Sequence, residues 1–149
     1  MRDEIKDNVL KSGTSILGIV CKDGIVMAAD RRATAGNLIV QKNAKKVIQI
    51  NEYLVTSGTG MSSDIDMLQK IVAAELKLKE LKSKVRPTVN EAANLMAMIS
   101  YKNIRQFTTI PFIAGTLVAG VNTDGTTELY SVEPAGSVMK VEDYDANFS

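Results

Sequence analysis

The chain has 149 residues, 45% of them hydrophobic and 23% charged, with a formal net charge of +1. This is the profile of a single soluble globular domain, long enough to bury one core but not two. Near-neutral charge excludes nucleic acid and anionic membrane as main partners, because both rely on a basic patch. The nearest thing to a basic cluster, Lys77 to Lys84, is interrupted by Glu80 and reads as the solvated end of a helix.

Met1 to Ser12 mixes charges with few apolar residues and has no hydrophobic core of the kind a secretory signal carries. Ser15 to Cys21 is dominated by Ile16, Leu17, Ile19 and Val20. Lys22-Asp23-Gly24 and then Ile25 to Ala29 follow, which predicts a β-hairpin. The two runs alternate little, so the hairpin is expected to be buried on both faces and to need a second covering layer. A second strand pair is predicted over Lys46 to Ile50 and Tyr53 to Ser57, with Asn51-Glu52 between them and Gly58-Thr59-Gly60 closing it. Ile65, Leu68, Val72 and Leu76 then fall at helical spacing, with Ser63 and Asp66 placed like a capping box. This helix stops before Arg86-Pro87. The next opens with Thr88 as N-cap and Glu91 three residues on, and buries Val89, Ala92, Ala93, Met96, Ile99 and Ile104. A last hairpin spans Phe112 to Val121 and Thr127 to Val132 around Asp124-Gly125, with a short strand near Val138 and Met139. The longest apolar run, Ile110 to Val121, is too short to span a bilayer and contains Pro111, Gly115 and Gly120. Strands, two helices and strands again give an α+β fold with helices on a largely antiparallel sheet.

The chain has no histidine and one cysteine, Cys21. Ser-His-Asp and Cys-His catalysis, histidine zinc sites and a CxxC redox pair are therefore excluded. A lone cysteine fits a reducing cytosol. No acidic run with metal-binding spacing is present, so neither a metal nor a cofactor is expected. A hydrolase built from these residues needs a carboxylate, a lysine or a terminal amine as its base.

One junction offers such a base. Ser12-Gly13-Thr14-Ser15 joins the polar leader to the first apolar strand. A cut between Gly13 and Thr14 would give Thr14 both a hydroxyl and a free α-amine, whose reference pKa is about 7.7–8.0. One residue would then hold nucleophile and base together. Taken alone, the Gly-Thr pair equally fits a turn entering a strand.

Around this junction, Gly13 to Gly24 runs straight into Ile25-Val26-Met27-Ala28-Ala29-Asp30-Arg31-Arg32-Ala33-Thr34. Lys42-Asn43-Ala44-Lys45-Lys46, Ser57-Gly58-Thr59-Gly60 and Tyr130 to Gly136 follow at characteristic distances. The whole chain after the leader resembles the β subunits of the 20S proteasome, above all the archaeal type. The resemblance implies an N-terminal-nucleophile hydrolase, a four-layer αββα sandwich whose C-terminal part is missing here. It also implies a propeptide over residues 1–13 and a catalytic domain over residues 14–149.

By the same resemblance Thr14 matches the nucleophile and Gly13 the residue before the autolytic cut. Lys46 matches the catalytic lysine, Asp30 the acid that pairs with it, and Gly60 the oxyanion-hole glycine. Ser149 matches the serine beside the nucleophile. Arg32 belongs to the active-site surround, and Thr34 to the main chain that pairs with an extended substrate. Ala33, Ala44 and Gly58 line the pocket for the side chain before the cut, and their small size implies a roomy pocket. Taken singly, Asp30 reads as a turn residue, Lys46 as an edge-strand charge and Gly60 as a strand cap. Together, at the family's spacing, they read as a catalytic set.

The implied activity is that of a threonine-type endopeptidase that degrades unfolded polypeptide inside a cytoplasmic ring assembly. Its implied partners are identical β subunits in a heptameric ring, α subunits and, indirectly, an ATP-dependent unfoldase, with no nucleic acid and no membrane. Family members continue beyond the position of Ser149, so the sequence reads either as a fragment or as a short relative. Asn147-Phe148 stands where the family usually has Thr-Gly. Two other readings stay open: a non-catalytic structural β-type subunit or truncated inactive fragment, and a different N-terminal-nucleophile hydrolase such as an amidase. Arg31 to Thr34 and Pro134-Ala135-Gly136 speak against the second.

Overall fold

The computed structural model describes residues 13–35 and 37–148, the last of these by its backbone only. The polar leader, Gly36 and Ser149 lie outside the described residues. The fold is mixed α+β, as expected. Strands β1 (Ser15–Cys21) and β2 (Gly24–Ala29) form the predicted hairpin, and β10 (Tyr144–Phe148) adds to the free edge of β1 in the order β10-β1-β2. A second, five-stranded sheet runs β5 (Val47–Asn51), β6 (Leu54–Gly60), β7 (Ala114–Val121), β8 (Thr127–Val132) and β9 (Val138–Val141), antiparallel throughout. β3 (Ala33–Ala35) and β4 (Leu38–Gln41) make a separate short hairpin.

Two hydrophobic clusters hold these layers together. Between the sheets, Ile16 packs with Leu117, Ala119 and Leu129, with Ile25, Met27 and Val141 at its margin. On the other face of the five-stranded sheet lie helices α1 (Ser62–Ser83) and α2 (Val89–Ile104). Leu68, Val72 and Leu76 of α1 and Ala92, Ala93 and Met96 of α2 meet Leu54, Val118 and Val132 of the strands. Both helical stripes were legible at their spacing. The described residues thus stack as helices, sheet and sheet. Ile19 and Val26, on the far face of the three-stranded sheet, stay exposed. The expectation that the first hairpin is buried on both faces does not hold among the described residues: β2 alternates instead of being uniformly buried.

Local chemistry explains where other elements depart from expectation. Ser63 and Asp66 form no capping box. The N-cap is Met61, whose side chain makes no cap; its N–H donates to the Ile113 carbonyl, and the helix starts two residues early. Asp66 pairs with Lys70 one turn on, and Asp64 accepts from the Ile113 N–H. The β5–β6 connection is Glu52-Tyr53, one residue later than predicted. Asn51 Oδ1 accepts from the Tyr53 N–H at 3.0 Å, an Asx turn that fixes the corner there. β7 opens at Ala114, since the backbone of Ile113 is engaged by Met61 and Asp64.

The capping box of α2 forms as predicted. The Glu91 N–H donates to Thr88 Oγ1 and the Thr88 N–H donates to the Glu91 carboxylate. Replacing Thr88 by Ala is expected to cost about 1 kcal/mol, read as a lowered urea midpoint with an unchanged slope.

Candidate active site

β1 and β2 deliver two of the candidate residues to one end of their hairpin. Ile16 pairs with Ala29, so Thr14, just before β1, and Asp30, just after β2, come out side by side. The Ser15 N–H donates to Asp30 Oδ1 at 2.9 Å, and the Asp30 N–H donates to the Ser15 carbonyl at 3.1 Å. The approach to β5 brings the third. The Ala44 N–H donates to the Arg31 carbonyl at 2.9 Å, which lays residues 44–46 against the segment after β2. Buried Ser57 of β6 donates its hydroxyl to the Lys46 carbonyl at 2.9 Å and fixes the root of the lysine.

Lys46 reaches inward to three acceptors. Its Nζ stands 2.8 Å from Asp30 Oδ2, 3.0 Å from Thr14 Oγ1 and 2.7 Å from the carbonyl of Arg32. An ammonium carries three N–H donors and no acceptor, so this set uses all of them. Asp30 Oδ2 also accepts from the Arg32 N–H at 3.1 Å. Burial pushes the Asp30 carboxyl up, but hydrogen bonds from Lys46 and from the Ser15 and Arg32 backbone outweigh it and hold the group below its ordinary 3.8. Thr14 is buried. Its hydroxyl oxygen therefore lies against a positive charge in a largely water-excluded place, the setting in which an oxygen is eased toward its ionised form.

Gly60 closes the site. Its φ of 125° belongs to glycine, and a Cβ there would lie 2.3 Å from the carbonyl oxygen of Ile113. Backbone geometry alone thus demands glycine at this position, whatever approaches from the other side. α1 begins two residues later, so the positive end of its dipole faces the same region.

A cavity of about 410 Å³ opens beside Thr14, and Ala33, Ala44, Lys46, Gly58 and Gly60 contribute to its wall. Of the remaining candidates, Asp30 and Arg32 belong to the lysine cluster. The side chain of Arg32 is exposed, and it is the main chain of this residue that engages Asp30 and Lys46. Thr34 lies on β3, which pairs with β4 alone among the described residues and so leaves an edge for an extended chain. Ser149 lies outside the described residues. Sequence reasoning missed Ser57, Ile65 and Gln69. The run of small polar residues Thr56-Ser57-Gly58-Thr59 in a central strand was the available signal, since such a position ordinarily takes β-branched or aromatic residues. Among the described residues no group of three or more carboxylate or cysteine side chains could hold a metal, and no helix is long and apolar enough to cross a membrane.

A model of the family described as "Proteasome subunit" matches residues 10–146. The chain belongs to the proteasome-subunit family. Among curated relatives, it is similar to a proteasome subunit beta of Nanoarchaeum equitans, 38% identical over 91% of this chain and 67% of the relative. To that of Archaeoglobus profundus it is 36% identical, over 100% of this chain and 66% of the relative. To that of Archaeoglobus fulgidus it is 33% identical, over 97% and 65%. The chain spans about two thirds of the length of these proteasome subunits.

The lowered Asp30 carboxyl has a pH signature. A group whose pKa falls on folding adds stability above its ordinary value and loses that contribution as pH drops through the folded value. The stability gap between the parent and Asp30→Asn is therefore expected to be full at neutral pH and to shrink below 3.8. Urea midpoints across that range check it; a gap that does not change with pH contradicts it.

Proposed function

We propose that this chain is a threonine-type endopeptidase subunit of a proteasome core, made as a precursor and processed by its own Thr14. Residues 1–13 are the propeptide and residues 14–149 the catalytic portion. The observation that carries this reading is the Lys46 ammonium, 3.0 Å from Thr14 Oγ1 and anchored by Asp30 at 2.8 Å. The work would take place in the cytoplasm, inside rings of identical β subunits stacked on α subunits. An unfoldase would feed in unfolded polypeptide. Similarity to proteasome subunit beta chains supports this assignment.

Two stages use the same hydroxyl with different bases. In the precursor the nitrogen of Thr14 is an amide and cannot take a proton. Thr14 Oγ adds to the Gly13 carbonyl carbon while Lys46 offsets the charge that develops on the hydroxyl oxygen, and the hydroxyl proton leaves through water. The C–N bond breaks, the nitrogen picks up the proton to become the α-amine, and Gly13 is left as an ester on Thr14. Water then releases a Gly13 carboxylate. Gly13 has φ of 61°, so the chain turns at this residue in a conformation that a side chain would strain. Once freed, the α-amine takes the hydroxyl proton at each later turnover, and the same addition and hydrolysis cut substrate peptides. The Gly60 N–H is the donor for the carbonyl oxygen as it becomes an oxyanion.

Intact-mass analysis of the parent and a Thr14→Ala variant, each co-expressed with family α subunits, tests this reading. Loss of residues 1–13 is expected in the parent alone, and the processed protein is expected to cleave peptides but not small amides. An intact leader in both proteins would assign the chain to the non-catalytic structural class, and turnover of small amides alone would assign it to the amidases.

A further inference from the structure

The cavity beside Thr14 has a floor that the small residues around it do not explain. Gly58 of β6 lines it, in register with Thr116 of β7 and without a positive φ, so the backbone does not require glycine there. Space does. A Cβ on Gly58 would lie 2.6 Å from Cγ2 and 3.1 Å from Cγ1 of Ile65. The volume that a strand side chain would fill is already filled from the helix.

We propose that Ile65 of α1 sets the depth of this pocket, and with it the size of the side chain accepted before the cut. The proposal rests on the peptidase reading for its meaning, though not for its geometry. Ile65 is half-buried: one side packs on the core cluster below and the other faces the cavity. Ile48 of β5 adds a second apolar wall. One helical turn beyond Ile65, Gln69 is buried and donates its Nε2 to Thr56 Oγ1 at 2.9 Å, and this bond fixes the amide behind the isoleucine. Glycine at 58 and isoleucine at 65 are thus a matched pair. Gly58 makes room for Ile65, and the pocket is no deeper for the missing strand side chain. An added methyl at 58 must drive Ile65 into the cavity, while a shortened residue 65 must open the floor.

The test is a double-mutant cycle read by binding, so that it stands apart from catalysis. Acetylated tripeptides that end in Ala, Leu or Phe present that last side chain as a product does, with no peptide bond beyond it to cut. Their affinities for the processed full chain and its variants are measured by calorimetry, with peptide turnover followed in parallel. In hydrophobic pockets a methylene changes discrimination by about 10–200-fold. Ile65→Ala is therefore expected to raise the preference for Phe over Ala by about tenfold or more, and Gly58→Ala to lower it by a similar factor. With Ile65→Ala in place the methyl at 58 has no isoleucine to displace, so the double variant is expected to stay near the preference of Ile65→Ala and not to return to the parent. Ile65→Val, which disturbs the core less, is expected to move the same way by a smaller factor. Unchanged preferences, or shifts that simply add in the double variant, would overturn the proposal. Shifts of the expected kind in a protein that turns over no peptide would uphold the pocket and sink the peptidase reading instead.

Discussion

Everything at the candidate site depends on one ammonium group with all of its hydrogen bonds committed. Lys46 joins three stretches of chain that sequence keeps apart: Thr14 before β1, Asp30 and Arg32 after β2, and its own position before β5. Its side chain is largely withdrawn from water, with 13% of its surface exposed. An ammonium taken out of water is costly unless its donors are matched, and here each has an oxygen within 3.0 Å. The match fixes the position of the threonine hydroxyl as well as its electrostatic surroundings. The same constraint explains why Arg32 acts through its main chain. Its N–H and carbonyl close the loop around Asp30 and Lys46, and a change of side chain there leaves both groups in place.

The scaffold supplies this precision from outside the cluster. Ile16 is wedged between the two sheets against Leu117 and Leu129, and it lies two residues from Thr14. Ser57, on β6 inside the five-stranded sheet, holds the Lys46 carbonyl. Asp30 directly follows the last residue of β2 and Lys46 directly precedes the first of β5, so each charged partner sits at the root of a strand, an arrangement that helps to hold groups in fixed geometry.

Much of this was legible in the sequence, for identifiable reasons. The absence of histidine alone narrows the chemistry to a carboxylate, a lysine or a terminal amine as base. Thr14, Asp30, Lys46 and Gly60 stood at family spacing, and the structure gathers them around the Lys46 ammonium and the cavity beside it. The helical stripes and the Thr88 cap were legible because burial and capping impose a period or a fixed offset. What escaped was whatever no period marks. β4 is exposed along its whole length, and β3 has only three residues, so neither carries an alternation to detect. The early start of α1 is decided by the backbone of Ile113, far away in sequence. Ala33, Ala44 and Gly58 suggested a roomy pocket because Ile65 is seven residues on from Gly58, in a different element; only packing brings them together.

The central claim is that Lys46 makes the hydroxyl of Thr14 a nucleophile. A peptide vinyl sulfone, which adds a nucleophilic oxygen across its double bond, tests it directly when the modified residue is located by mass spectrometry in the parent and in Lys46→Ala. The account predicts an adduct on Thr14 in the parent and none in the variant, with both proteins folded. Labelling of Thr14 at the same rate without Lys46, or an adduct at another residue, would contradict it.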